Sequence, residues 1–273
     1  MIVVYEKQLI SKDGNPETNE DGIFINDSYI AVVDGVTAKG KLKWNGKKSG
    51  RHARDIILEA LKKAPADFRA REMILYLNRS LFDEYGENTQ FFKENKEERL
   101  QANIILYSAF KKEVWCFGDC RCIVNGEIHL HEKAIDRFTS ELRSKFLEEE
   151  IKRGKTVEEL MRHDTGREHI MPYLLKQTDY ANAKGEFGYD VLDGFEIDAD
   201  RTVIYKPEAN SEIVLASDGY PVLRGTLEES ERELQYILSN DKLLFRLHKE
   251  TKGLISGNLS FDDRAYIRFT DTN

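Results

Sequence analysis

Cysteine is scarce, with three in 273 residues. An odd, small number offers no disulfide framework and fits a reducing compartment. The amino terminus, Met1-Ile2-Val3-Val4-Tyr5-Glu6-Lys7, lacks the basic leader and long apolar core of an export signal. No apolar run approaches the roughly 18 residues that cross a membrane. An excess of base is missing too: 41 Lys and Arg stand against 49 Asp and Glu, for a net charge of −8. That balance argues against a nucleic-acid or membrane surface as partner. The expectation is a cytoplasmic protein with no nucleic-acid and no membrane partner, and nothing here sets its oligomeric state. No internal repeat, low-complexity tract or linker divides the chain, so residues 1–273 are read as a single domain.

What is present is ordinary globular material, 40% hydrophobic and 33% charged, ample for a sizeable core. Short β-like runs at Ile2 to Ile10, Gly22 to Ile25 and Tyr29 to Val33 are separated by turn clusters such as Lys12-Asp13-Gly14-Asn15-Pro16. Helical spacing follows at Ala53, Ile56, Ile57, Ala60 and Leu61, with Ser49 as the expected cap, and again at Met73, Ile74, Leu77 and Leu81. Lys39 to Lys48 reads as an exposed basic loop. A block of strands runs from Ala102 to His131, with Asn125-Gly126 as a hairpin turn. Residues 136–200 read as a variable, largely helical flap. Strands return at Val203, Ile213 and Tyr266, with helices expected around Leu227 to Leu238 and Leu243 to His248. Strands grouped rather than alternating with helices indicate an antiparallel α+β fold.

The chemistry lies in acidic clusters spread along this frame: Asn19-Glu20-Asp21, Asp34-Gly35, Ser217-Asp218-Gly219 and Asp262-Asp263. Ile30 to Val33 leads into Asp34, Ile213 to Ala216 leads into Asp218, and Asp262-Asp263 shortly precedes Tyr266-Ile267. Carboxylates at strand ends, aimed at one point, make a site for hard divalent cations, and such a site with open positions usually performs hydrolysis. Because the clusters come from both ends of the chain, the site is expected where the first and last strands meet.

In order, Glu20-Asp21, Val33-Asp34-Gly35, Phe117-Gly118-Asp119, Ala216-Ser217-Asp218-Gly219 and Asp262-Asp263 resemble the motifs of the metal-dependent PPM/PP2C-type serine/threonine phosphatases. The resemblance spans nearly the whole chain. It implies a four-layer α/β/β/α sandwich of two antiparallel sheets flanked by helices. It further implies a binuclear Mn2+ or Mg2+ centre, with two or three ions, that activates water against phosphoserine or phosphothreonine in a phosphorylated protein or peptide. Asp34 would bridge two ions and the Gly35 carbonyl would bind one. Asp218 and Asp262 would complete the other shell, and Glu20 and Asp21 would serve the first ion. Asp119 would join Asp218 at a third position. Asp34 and Asp218 would act catalytically through the metal-bound water.

The chain departs from that pattern where a substrate is gripped. Pro16 stands where the family usually carries an Arg, Val36-Thr37-Ala38-Lys39-Gly40 stands where glycines and a His are usual, and the Thr-x-Asp-His segment is missing. Two alternatives therefore stay open: a catalytically weak regulatory pseudophosphatase of the same fold, and a phosphatase of a small phosphorylated metabolite. Three other readings fare worse. Gly35 to Lys41 nearly spells a phosphate-binding P-loop, but Leu42 replaces the Ser or Thr that such a loop needs. Cys116, Cys120 and Cys122, even with His129 or His131, fit no usual zinc spacing. A cysteine-based phosphatase would need Arg six residues after its Cys, where this chain has Cys122, Gly126 and Ile128.

Overall fold

A computed structural model describes residues 1–272. The first sheet has the order β2 (Asp21–Ile25), β3 (Tyr29–Val36), β4 (Gln101–Ser108), β5 (Glu113–Phe117) and β8 (Val203–Tyr205), all antiparallel. The second has the order β1 (Ile2–Ile10), β10 (Arg264–Asp271), β9 (Glu212–Ala216), β6 (Arg121–Val124) and β7 (Glu127–His129), also antiparallel. The chain's two ends thus pair with each other, as β1 against β10.

Alternation along β3 shows why two sheets and helices stack. Ile30 and Val32 face the second sheet, where they meet Ile213, Leu215, Ile267 and Phe269 in a dry layer. Tyr29, Ala31 and Val33 point the other way, onto α1 (Ser49–Lys63) and α2 (Ala70–Tyr85) through Ile57, Leu61, Met73 and Leu77. Successive strand residues point to opposite faces, so a strand covered on both sides reads as one continuous apolar run. The outer face of the second sheet, at Ile123, Val214 and Tyr266, meets Tyr220, Leu223 and Leu227, the last opening α7 (Leu227–Asn240). These are the four layers of an α/β/β/α sandwich. All three cysteines are buried in the layer between the sheets. No helix among the described residues is long and apolar enough to cross a membrane.

Several local expectations change. Ser49 does not cap α1. It is the first helical residue, and its hydroxyl instead accepts the Ala38 amide at 2.7 Å. The basic loop after β3 is held down by Trp44, which stacks between His52 and Phe92, each at 5.3 Å, the latter from the short helix α3 (Thr89–Glu94). Asn125 and Gly126 both take positive φ, 54° and 78°, as the tight β6–β7 hairpin requires. The stretch from Leu243 to His248 is not helical. The Asp241 carboxylate accepts the amides of Phe245, Arg246 and Leu247 at 2.7–3.0 Å, and this side-chain competitor replaces helical bonding.

That irregular stretch wraps an arginine. α4 (Ala134–Lys152), α5 (Val157–Arg162) and α6 (Thr165–Gln177) form the helical flap. Arg143 of α4 is wholly buried and donates to the carbonyls of Leu243, Leu244 and Glu250 and to the Asp164 carboxylate. Asp164 also caps α6 by accepting the Arg167 amide at 2.8 Å. One guanidinium thereby ties two flap helices to the loop that leads into β10. Removing one partner of such a buried pair leaves the other uncompensated. Arg143→Ala should cost about 3 kcal/mol, seen as a lowered urea midpoint, and an unchanged midpoint would remove Arg143 as the flap's anchor.

Candidate metal centre

Where the two sheets meet at one end, a cleft of about 350 Å3 opens. Glu20, Asp21, Asp34, Gly35, Asp119, Asp218 and Asp262 all line it, together with Asp263. The first sheet contributes three side chains in direct register: Asp21 opposite Asp34, and Asp34 opposite Asn103. Asp34 is thus inside β3 rather than at its end, and the strand runs on through Gly35 to Val36, with the Gly35 amide bonded to the Glu20 carbonyl at 3.1 Å. Asp119 sits in the turn that crosses from β5 to β6, and Asp218 and Asp262 flank the inner ends of β9 and β10.

Close backbone approaches hold these segments. A Cβ on Gly35 would lie 2.1 Å from the Gly50 carbonyl oxygen, so the start of α1 rests directly on the end of β3. Gly118 has φ 110°, and a Cβ there would strike Asn103 Oδ1 at 2.3 Å. Both positions accept only glycine, for reasons of space and, at Gly118, of backbone conformation.

Asp34, Asp119 and Asp218 form the centre's focus. Each offers a carboxylate oxygen, and these oxygens lie within 4.8 Å of one another. Asn103 donates to Asp34 Oδ2 at 3.2 Å. Burial, then the neighbouring carboxylates, raises the proton affinities of Asp34 and Asp218 well above the usual range. Burial pushes Asp21 up to about 7, with Asp263 and Asp262 adding to the shift. Asp21 Oδ2, Asn103 Oδ1 and Asp119 Oδ1 are buried without any hydrogen-bond partner. Unpartnered buried carboxylate oxygens on Asp21 and Asp119, beside three carboxylates brought close together, fit a hard cation. The all-oxygen donor set suits Mg2+ or Mn2+ better than zinc. Burial keeps the nearby Cys116 and Cys120 thiols protonated.

The rest of the acidic set is treated differently. Lys12 Nζ lies 3.2 Å from Asp262, 3.3 Å from Asp263 and 3.6 Å from Glu20. Lys252 also pairs with Asp262, Lys48 with Glu20, and Lys133 with Asp119. Burial opposes ionisation of Asp262, but Lys252 and Lys12 outweigh it and its pKa falls. Burial likewise opposes the charge on Lys12, yet Asp262, Asp263 and Glu20 raise its pKa. Asp263 accepts the backbone amides of Lys12 and Glu20 at 2.8 and 3.0 Å, so its carboxylate is tied to the backbone. Thr37 donates to Glu20 at 2.7 Å.

Sequence reasoning missed Asn103, Thr37 and the lysines as members of the site. Lys12 alone had a signal, as the nearest base upstream of Glu20-Asp21. The place of the absent Arg is a surface contact: the Pro16 carbonyl accepts Arg51 Nη1 at 2.7 Å, and Arg51 also pairs with Glu17. The loop resembling a P-loop does cradle an anion, but it is Glu98, whose carboxylate accepts the Lys41 and Leu42 amides at 2.8 and 3.0 Å.

No protein-family model matches the chain, and no curated protein matches it. Among solved structures it is similar to the Mycobacterium tuberculosis serine/threonine phosphatase PstP/Ppp, with 13% identity, TM-score 0.49 and coverage of 100% of this chain and 99% of that one. It is also similar to the catalytic domain of PstP in complex with 2 manganese ions, with 14% identity, TM-score 0.48 and coverage of 99% and 100%. A third is the serine/threonine phosphatase Stp1 from Staphylococcus aureus, with 16% identity, TM-score 0.46 and coverage of 100% and 94%. Likeness this distant carries no functional argument, so function rests on the cleft's own residues.

The proton affinities yield a signed expectation. A carboxyl whose folded pKa is raised stabilises the fold below its unfolded value, near 4, and loses that contribution as pH rises through the folded value. For Asp21 the window runs from about 4 to about 7. Without divalent metal, Asp21→Asn should gain on the native protein across that window by on the order of 1 kcal/mol per pH unit. Paired denaturation curves at pH 4 and pH 7 measure the gap, and a constant difference would contradict the raised proton affinity of Asp21.

Proposed function

We propose that this chain is a metal-dependent phosphatase acting on phosphoserine or phosphothreonine in a phosphorylated protein or peptide, with two or three Mn2+ or Mg2+ ions. The observation that carries this reading is the convergence of Asp34, Asp119 and Asp218 from three separate segments, with unpartnered buried oxygens around them. Asp34 and Asp218 are the residues on which activity depends most. Asp119 and Asp21 complete the oxygen-rich floor, with Glu20, Asp262 and the Gly35 carbonyl at its edge. When bound, such cations supply Lewis acidity and a nucleophilic water at neutral pH.

The chain's own residues orient that floor. Asn103 fixes the rotamer of Asp34, Thr37 that of Glu20, and the amides of Lys12 and Glu20 that of Asp263. Partners of this outer kind hold ligands in place. The raised proton affinities of Asp34 and Asp218 mean that cations compete there with protons. An anionic phosphoryl group is admissible in an acidic cleft because bound cations reverse the local charge.

One observation favours a second reading, a regulatory protein with little turnover: Lys12 occupies the space between Glu20, Asp262 and Asp263. An internal ammonium there competes with a divalent ion for the same carboxylates.

Manganese-dependent hydrolysis of p-nitrophenyl phosphate tests the first reading. Asp34→Ala and Asp218→Ala should each lose at least about a hundredfold, as loss of even an outer-shell partner can. Turnover of phosphopeptides over a panel of phosphorylated metabolites would support the protein substrate. Manganese binding without hydrolysis would favour the second reading. Lys12→Gln, which removes the competing ammonium, should tighten Mn2+ binding roughly tenfold by calorimetry; unchanged or weaker binding would remove Lys12 as a competitor.

A further inference from the structure

The cationic side chains of the cleft fall into two groups. Lys12, Lys48, Lys96, Lys133 and Lys252 each lie within 4.0 Å of a carboxylate. Lys39 and Arg167 do not, among the described residues. Lys39, half-buried in the loop after β3, donates only to the Thr37 carbonyl, at 3.3 Å. Arg167, half-buried near the start of α6, donates through Nη1 to the Thr251 carbonyl at 2.7 Å and hydroxyl at 3.3 Å. Its Nε and Nη2 are left for another acceptor.

Both side chains line the same cleft as the acidic floor. Burial, then Arg167 and Lys252, lowers the Lys39 pKa to about 8, with Asp136, which also lines the cleft, acting the other way. Two like charges sharing a low-dielectric recess are unfavourable unless an anion sits between them. Arg167 cannot simply swing away to solvent. Asp164, itself locked by the buried Arg143, caps the turn that carries it, and Thr251 holds one of its nitrogens. A guanidinium so fixed presents a planar pair of donors suited to a phosphoryl group.

We infer that Lys39 and Arg167 grip the phosphoryl group of the substrate, one from the loop after β3 and the other from the flap. The identification of the anion as a phosphoryl group rests on the phosphatase reading, whereas the two unpaired cations do not. Of the flap's basic residues, Arg162 lies on the exposed side of α5 and serves as the control.

Calorimetric titration of the full chain with inorganic phosphate, with and without Mn2+, gives the test. A phosphoserine peptide and its unphosphorylated counterpart are titrated in parallel. Phosphate and the phosphopeptide should bind, and each should weaken roughly tenfold in Arg167→Gln and in Lys39→Gln. Arg162→Gln should change nothing. Arg167→Lys should recover part of the loss, since it restores charge without the fork. No saturable binding in either condition would overturn the inference, as would binding that both Gln variants keep, or equal binding of the unphosphorylated peptide. Lys39→Gln alters an irregular loop outside the core, so its result stands even if Arg167→Gln unfolds. Manganese binding, read separately by the same method, decides the metal centre. If it fails while phosphate binding is lost in the variants, the phosphatase reading falls and the anion site remains.

Discussion

Everything around the cleft answers one electrostatic problem: too many carboxylates are buried at one place. Taking ionised groups out of water costs several kcal/mol each unless a partner compensates. This fold compensates four of the seven internally. Glu20, Asp262 and Asp263 share Lys12, and Asp119 has Lys133. Asp34, Asp218 and Asp21 have no such partner, and their proton affinities rise accordingly. A protein gains nothing in stability from leaving three carboxyls in that state, and it is this uncompensated set on which the proposed cation site rests.

Holding like charges together requires a stiff frame, and the packing supplies it. Asp21, Asp34 and Asn103 occupy adjacent strands in direct register, so their spacing is set by the sheet rather than by flexible loops. Gly35 and Gly50 bring helix α1 onto the strand end with no side chain between them. On the far side, the pairing of β1 with β10 brings residues 12 and 262–263 together although some 250 positions separate them. The site therefore exists only in the completed fold, and local unfolding of either terminal strand dissolves half of it.

This explains what was legible in the sequence. The acidic motifs announced themselves because each is a carboxylate next to an apolar run, a pattern local in sequence. The antiparallel α+β class was legible because strands come in groups, whereas the four layers came only with the family resemblance. Apart from Lys12, the lysines were not legible. Lys252 and Lys133 lie far in sequence from the carboxylates they meet and look like any surface base. Asn103 was hidden inside a strand, where only register reveals that it faces Asp34. The segment from Leu243 to His248 misled because its composition suits a helix, whereas the Asp241 carboxylate and the Arg143 guanidinium claim its backbone groups. A nearby carboxylate and a distant guanidinium together override helix propensity here, and only the first is local in sequence.

The division of charge also separates two tasks in space. Carboxylates sit on the floor, on strands β2 and β3 or in the turns that flank strand ends, while the two unpaired cations sit on an irregular loop and a flap helix. The flap is tied through Arg143 to the carbonyls of Leu243, Leu244 and Glu250, and Arg167 is tied to Thr251 of the same loop. Arg167 thus keeps its place through contacts that involve none of Asp21, Asp34 and Asn103. Acidic floor and basic side chains are thus held by different partners, an arrangement that fits a chain in which the acidic motifs are easily read while the residues expected to hold a phosphate are missing from their usual places.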